Sequence, residues 1–264
     1  MVTMQKAAII IPCYNEEQRL DVVKIKNFAA DNPHISFIMV DDGSRDKTAE
    51  IITTLAKVNN KQIFALNLPE NKGKAEAVRQ GFRKAFSMEY EFIGFWDADL
   101  ATPLYEINNL YKYLSTRQSR LIAFGSRVRL LDRNIGRKPT RHYLGRLFAT
   151  MASFILSVHI YDTQCGAKLF RHTRLLQEVF NTPFSCNWIF DVEIFARFIM
   201  LQRGTTRTLA KTAIEHPLME WQDVPGSKLK STDFLKAFVE LLKIIFFLYA
   251  PGRNKRRMSL SSGT

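Results

Sequence analysis

Two aspartates one residue apart, Asp97 and Asp99, close the apolar run Phe92-Ile93-Gly94-Phe95-Trp96. Like charges at that spacing repel unless a cation lies between them, and hard divalent ions such as Mg²⁺ or Mn²⁺ take oxygen ligands and bridge to substrate phosphates. The same spacing also fits a strand-end turn in which an aspartate caps a helix. A second acidic pair, Asp41 and Asp42, closes Ser36-Phe37-Ile38-Met39-Val40, and Lys74 follows Asn71-Lys72-Gly73. Carboxylates so placed could accept hydrogen bonds from a base N–H or from ribose hydroxyls, and Lys74 could reach a phosphate. Alone, Asp42-Gly43-Ser44 reads as a turn and Lys74 as a solvated side chain; together, at successive strand ends, they read as a polar crevice of nucleotide size.

Those residues need elements that bring them to one edge. An apolar run rich in aromatic and β-branched residues fits a buried parallel strand, and ligands of open α/β sheets bind beyond the carboxyl ends of such strands. The spacing predicts strands over Ala7–Pro12, Ser36–Val40, Gln62–Leu68 and Phe92–Trp96, and helices around Gln18–Ala30, over Thr48–Val58 and from the Gly73-Lys74 turn through Phe86. Alternation of this kind predicts an α/β fold with a mostly parallel, doubly wound sheet flanked by helices. Neither GxGxxG after the first strand nor GxxxxGK[ST] anywhere is present, which removes a dinucleotide fold and a P-loop.

The 264 residues suffice for a full core, and 46% hydrophobic with 24% charged residues is ordinary globular usage. The sign is not ordinary: 38 Lys and Arg against 25 Asp and Glu give +13, which implies a polyanionic partner. Nucleic acid would account for the charge but leaves the strand-end carboxylates without a purpose, since they repel phosphate in the absence of metal; no nucleic-acid partner is expected. Cys13, Cys165 and Cys186 are far apart and show no CxxC pairing, so neither a zinc site nor a disulfide framework is expected, in keeping with a reducing compartment.

Four motifs in order, Ile11-Pro12-Cys13-Tyr14-Asn15-Glu16, Val40-Asp41-Asp42-Gly43-Ser44-Arg45-Asp46, Asn71-Lys72-Gly73-Lys74 and Asp97-Ala98-Asp99, resemble the inverting GT-A glycosyltransferases of family 2. The resemblance implies a Rossmann-like nucleotide-sugar-binding sheet, a nucleotide-sugar donor, Asp99 as the metal ligand of the DxD motif and Asp97 supporting nucleotide and metal. Pro12, Tyr14, Glu16, Asp41 and Asp42 would hold base and ribose.

The second half narrows the resemblance. Phe124-Gly125-Ser126-Arg127, the basic segment to Arg146, Asp162-Thr163-Gln164-Cys165-Gly166-Ala167-Lys168-Leu169-Phe170, Trp188-Ile189-Phe190-Asp191-Val192-Glu193 and Trp221 to Leu229 look like the polyprenyl-phosphate glycosyltransferases, most of all the dolichyl-phosphate β-glucosyltransferase group. That group implies UDP-glucose as donor and a polyprenyl phosphate as acceptor, with GDP-mannose and a sugar-hydroxyl acceptor as the rival chemistries. A lipid phosphate is already anionic and needs positioning more than deprotonation, and Arg127, Arg141 and Arg146 are the candidates to grip it with planar donor forks. Asp191 sits where many inverting members place a general base. Gln164 and Lys168 flank Gly166 in an expected loop. Two departures stand out: the N-terminal membrane anchor of the eukaryotic glucosyltransferases has no counterpart in this sequence, and Ala101 stands where related mannosyltransferases often carry Gln.

Leu144–Ile160 and Phe234–Tyr249 are apolar with interspersed polar residues, and no stretch reaches the roughly 18 apolar residues that span a bilayer. The second precedes Arg253-Asn254-Lys255-Arg256-Arg257, the composition of an amphipathic helix lying on an anionic membrane surface; a helix packed on the domain or a homo-oligomer face fits the same periodicity. The expected organisation is a catalytic domain over 1–229 and a membrane-surface helix with a basic tail over 230–264. No signal-peptide pattern opens the sequence, so the expected place is peripheral, on the cytoplasmic face of a membrane.

Overall fold

The central strands are buried on both faces, which is why their sequences are continuous apolar runs and not alternating ones. The computed structural model describes residues 5–136, 139–202, 206–224 and 232–249. Its first half alternates: β1 (Ala7–Cys13), α1 (Val22–Asp31), β2 (Ile35–Asp41), α2 (Thr48–Val58), β3 (Ile63–Asn67), α3 (Lys74–Phe86), β4 (Phe92–Trp96), α4 (Glu106–Thr116) and β5 (Ile122–Ser126). Its second half is mostly helical: β6 (Asn134–Gly136), α5 (Pro139–Leu156), β7 (Ala167–Arg171), α6 (Arg174–Asn181), α7 (Phe190–Leu201), α8 (Thr206–Thr212), β8 (Ala213–Pro217), β9 (Glu220–Gln222) and α9 (Thr232–Tyr249).

Seven strands form one sheet in the order β3-β2-β1-β4-β7-β5-β8, and β6 pairs with β9 in a separate ribbon. All neighbours in the large sheet are parallel except β7, which runs antiparallel to both β4 and β5. The sheet is thus mostly parallel, as expected, with one reversed strand at its centre. Successive residues of a strand point to opposite faces. Ala7, Ile9 and Ile11 accordingly join Ile25, Ile52 and Ile107 in one core layer, while Ala8 and Ile10 join Phe82, Val179 and Phe195 in the other.

The first helix begins later than its apolar spacing predicts. The Glu16 carbonyl accepts from the N–H groups of Arg19 and Leu20, closing a turn, and the Asp21 carboxylate then accepts from Lys24 N at 2.9 Å as a side-chain cap. Gly43 is required where it stands: its φ is +64°, and a Cβ there would lie 2.5 Å from the Glu70 carbonyl carbon. Among the described residues no helix is long and apolar enough to cross a membrane. Helix α9 instead seats Ala237, Leu241 and Ile244 in the core shared with α7, burial that contributes about 1.5–3 kcal/mol for each of the two larger side chains. Its other face leaves Phe238, Val239, Leu242 and Phe246 exposed.

Candidate active site

Strand β4 delivers Asp97 and Asp99 to the carboxyl edge of the sheet, and the first residue of α3 brings Lys74 to meet them. Lys74 Nζ lies 2.5 Å from Asp97 Oδ1, with 40% and 37% of the two side chains still exposed, so the pair can be reached from solvent. The ammonium also lies 5.9 Å from the Phe95 ring centre and 5.8 Å from that of Phe190. Burial alone would lower its pKa, but Asp97, Asp191 and Asp99 outweigh burial and raise it. Asp99, whose Oδ1 accepts from Ala101 N at 3.1 Å, is pushed up by burial and then by Asp97.

Two mutually repelling carboxylates, one of them paired with the Lys74 ammonium, are a site that a divalent cation would stabilise. No cluster of three or more His, Cys, Asp or Glu side chains suited to a metal exists among the described residues. The two carboxylates of Asp97 and Asp99 are oxygen donors of the kind that fits a hard cation shared with substrate phosphates and water, as Mg²⁺ and Mn²⁺ are commonly held.

The edge beyond β1 and β2 carries the other expected nucleotide ligands. Pro12 and Tyr14 are half-buried there, and Glu16 is buried against Arg19, whose Nε and Nη2 reach its carboxylate at 2.8 and 2.6 Å. Asp41 accepts from Ser44 N at 3.2 Å. Asp42 turns inward: its carboxylate accepts from Asn71 Nδ2 at 3.0 Å, Lys72 N at 2.9 Å and Gly73 N at 2.8 Å, and burial raises its pKa. Its visible work is to fix the loop that starts α3 and thereby aim Lys74.

Because β7 is reversed, the residues before it, Asp162 to Gly166, arrive at the same edge as the end of β4. Asp97 N donates to the Gly166 carbonyl at 3.0 Å. Lys168 lies within β7 and not in the expected loop; it is fully buried and gives Nζ to Asp191 Oδ1 at 2.5 Å and to the Cys165 carbonyl at 2.6 Å. Asp191 is thus an ion-paired carboxylate in the first turn of α7. Burial pushes the Cys165 thiol up to about 12, which makes this cysteine a packing group and not a nucleophile.

The arginines divide. Arg127 gives Nε and Nη2 to Asp162 at 2.6 and 2.8 Å and lies 5.4 Å from the Trp221 ring; burial alone would lower its pKa, but Asp162 outweighs it and the guanidinium is held charged. Arg146 lies on Tyr161, 3.7 Å from ring centre, and donates to the Tyr161 carbonyl at 2.7 Å. Both line one small pocket together with Asp162, Thr163 and Gln164, and the Thr163 hydroxyl is buried there without a hydrogen-bond partner. Arg141 belongs to α5, but its side chain lies outside the described residues.

Three contributors were not singled out by sequence pattern. Asp162 was visible only as part of the Asp162–Phe170 run. Glu215, whose carboxylate accepts from Tyr161 N and Asp162 N at 2.9 and 2.8 Å, sits in a short strand with no motif. Glu240 is one carboxylate in an apolar helix, a local signal that only the tertiary contact explains.

The described chain matches the model of the family Glycosyl transferase family 2 over residues 8–180. A dolichyl-phosphate beta-glucosyltransferase of Trichomonas vaginalis is 32% identical over 91% of this chain and 71% of its own length. The dolichyl-phosphate beta-glucosyltransferase of Homo sapiens is 30% identical over 85% of this chain and 70% of its own. Among solved structures, glucosyl-3-phosphoglycerate synthase of Mycobacterium tuberculosis in complex with uridine diphosphate superposes with a TM-score of 0.62 at 16% identity, over 91% of this chain and 80% of that one. The same enzyme with Mn²⁺, uridine diphosphate and glucosyl-3-phosphoglycerate gives 0.61 at 16% identity, over 92% and 80%. The fold is the GT-A arrangement expected from the motifs.

Proposed function

This chain belongs to glycosyl transferase family 2, and from that premise we propose that it transfers a hexose, glucose from UDP-glucose, to a polyprenyl phosphate with inversion at the anomeric carbon. The observation that carries the reading is the similarity to dolichyl-phosphate beta-glucosyltransferases along 91% of the chain, running through both the Asp97-Ala98-Asp99 edge and the Asp162–Phe170 segment.

The donor lies along the sheet edge, with Pro12, Tyr14, Glu16 and Asp41 toward base and ribose and Lys74 toward the diphosphate. Asp42 serves by fixing the loop before Lys74. Asp97 and Asp99 would hold Mg²⁺ or Mn²⁺, which would supply positive charge against the negative charge that builds on the leaving diphosphate. Lys74 adds a fixed positive charge to the same place, released from Asp97 when phosphate arrives. The acceptor phosphate occupies the pocket of Arg127 and Arg146, and its oxygen attacks the anomeric carbon as the bond to the diphosphate breaks. Asp191 Oδ1 is already bound to the Lys168 ammonium, an arrangement that supports a positioning carboxylate and an acceptor needing no deprotonation.

A lipid acceptor places the enzyme at a membrane. The outward face of α9, with Phe238, Leu242 and Phe246 exposed, followed in sequence by Arg253, Lys255, Arg256 and Arg257, supports peripheral attachment to an anionic surface, the cytoplasmic one.

The test is incubation of the purified protein with Mg²⁺ or Mn²⁺, a short polyprenyl phosphate and, separately, UDP-glucose and GDP-mannose, following lipid-linked sugar by mass. Product from UDP-glucose alone is expected. Product from GDP-mannose alone overturns the donor, and product only with a sugar-hydroxyl acceptor overturns the acceptor.

A further inference from the structure

The first turn of a helix leaves backbone N–H groups without intrahelical partners, and their satisfaction fixes how the helix begins. At α7 this matters because Phe190 and Asp191, its first two residues, contact Lys74 and Lys168 respectively. Five consecutive amides lead into that turn, and two carboxylates take all of them. Glu193, within α7, accepts from Ser185 N and Cys186 N, each at 2.9 Å. Glu240 accepts from Asn187 N, Trp188 N and Ile189 N, each at 3.0 Å. Glu193 is also tied to Arg197 at 2.8 Å, so it moves with its own helix. Glu240 belongs to α9, about fifty residues further on and seated on the core by Ala237, Leu241 and Ile244.

We propose that Glu240 is a positioning residue for the transfer reaction: from α9 it holds the three amides before α7, and through them sets Phe190 and Asp191 against Lys74 and Lys168. A carboxylate that accepts several backbone N–H bonds at a helix start is favoured by charge-assisted hydrogen bonding and by the positive end of the helix dipole. Displacing α9, or removing this one carboxylate, frees the turn that carries Asp191 while leaving the nucleotide edge of β1, β2 and α3 untouched. Helix α9 thereby joins its exposed apolar face to the turn that carries Asp191 through the Glu240 carboxylate as well as through its packing on the core.

This inference rests on the function proposed above only in taking Asp191 and Lys74 to serve the transfer. Full-length wild type, Glu240→Gln and Glu240→Ala are compared by amide exchange over residues 185–192 and by steady-state transfer from UDP-glucose to a short polyprenyl phosphate. Glutamine keeps one acceptor oxygen and loses the charge, so amide protection and transfer rate are both expected to fall in the order wild type, Gln, Ala. The Ala variant is expected to lose roughly 10- to 100-fold in kcat, the penalty of a small displacement near reacting groups, with KM for UDP-glucose unchanged. If the Ala variant does not fold, the Gln variant alone decides on the same two readouts. Unchanged exchange at 187–191, or faster exchange with unaltered kcat, overturns the proposal. The exchange measurement needs no substrate. A wild-type protein that transfers no sugar would sink the function proposed above, and the clamp would still stand or fall on residues 187–191.

Discussion

Gly166 lies against the Asp97 carboxylate so closely that a Cβ on Gly166 would stand 1.9 Å from Asp97 Oδ2. The absence of a side chain at 166 is what lets the carboxylate occupy its place beside Lys74. Because the obstacle is the far end of a movable side chain and not backbone, Gly166→Ala is expected to change stability by less than about 1.5 kcal/mol while cutting turnover roughly 10- to 100-fold through misplaced Asp97. Thermal melting and steady-state transfer, measured on the same preparation, check both halves; a large loss of Tm with proportionate loss of activity would contradict the assignment.

The Lys168–Asp191 pair is buried on both sides. Removing one partner leaves a buried charge alone, and Lys168→Met is expected to cost about 3–5 kcal/mol by urea unfolding. Pairing it with Asp191→Leu is expected to recover most of that stability but none of the transfer activity. Recovery of activity in the double variant would show the pair to be scaffolding only.

Asp99→Asn is expected to abolish transfer at saturating Mg²⁺ or Mn²⁺ with an unchanged melting temperature, and EDTA is expected to do the same to the wild type, reversibly on adding metal. Full turnover in EDTA would remove the metal from the proposed chemistry.

Arg146 is half-buried at the mouth of the pocket it shares with Arg127. Arg146→Ala is expected to raise KM for the polyprenyl phosphate about tenfold or more, in line with the loss of one charge-assisted hydrogen bond, and to leave KM for UDP-glucose alone. The opposite pattern would place Arg146 on the donor side.

Glu106 is fully buried and accepts from Asn109 Nδ2 at 2.6 Å, Met219 N at 2.6 Å and His216 Nε2 at 3.1 Å. Burial works to raise its pKa, but the bonds from His216, Asn109 and Met219 win and lower it. A carboxylate with a depressed folded pKa contributes stability above its unfolded pKa and loses it as pH falls through the folded one. Urea midpoints are therefore expected to drop below about pH 4.5, and less steeply in Glu106→Gln than in wild type. Burial raises Asp42, Asp99 and Glu215, which act in the opposite sense, so the difference between the two proteins and not the wild-type slope alone is the measurement.

That Asp41, Asp97, Asp99 and Lys74 meet at one sheet edge was legible because each acid follows an apolar run within three residues and Lys74 opens a helix after a glycine. The surroundings of Arg127 and Lys168, proposed to face the acceptor, were singled out only by resemblance. Lys168 looks like a loop lysine until β7 is known to be a strand running backwards between β4 and β5, and no periodicity in five residues announces that direction. Arg127 reads as a free donor fork until Asp162, thirty-five residues away, is found taking two of its nitrogens. Asp42 reads as a ligand for the same reason that makes it a good loop anchor, a carboxylate at a turn. Pairings across such separations leave no local trace in either partner.

The reversed β7 also sets the order in which the polypeptide can be completed during synthesis. β4 and β5 are both made before the strand that must lie between them, so while the ribosome adds residues 127–166 each presents an open hydrogen-bonding edge, and β4 does so with the run Phe92-Ile93-Gly94-Phe95-Trp96. Open apolar edges invite pairing with the wrong strand or the wrong chain. Direct pairing of β4 with β5 would close the sheet prematurely and lock Lys168 out of its middle. The strand that brings Lys168 to Asp191 is thus also the one that closes the apolar edge of β4.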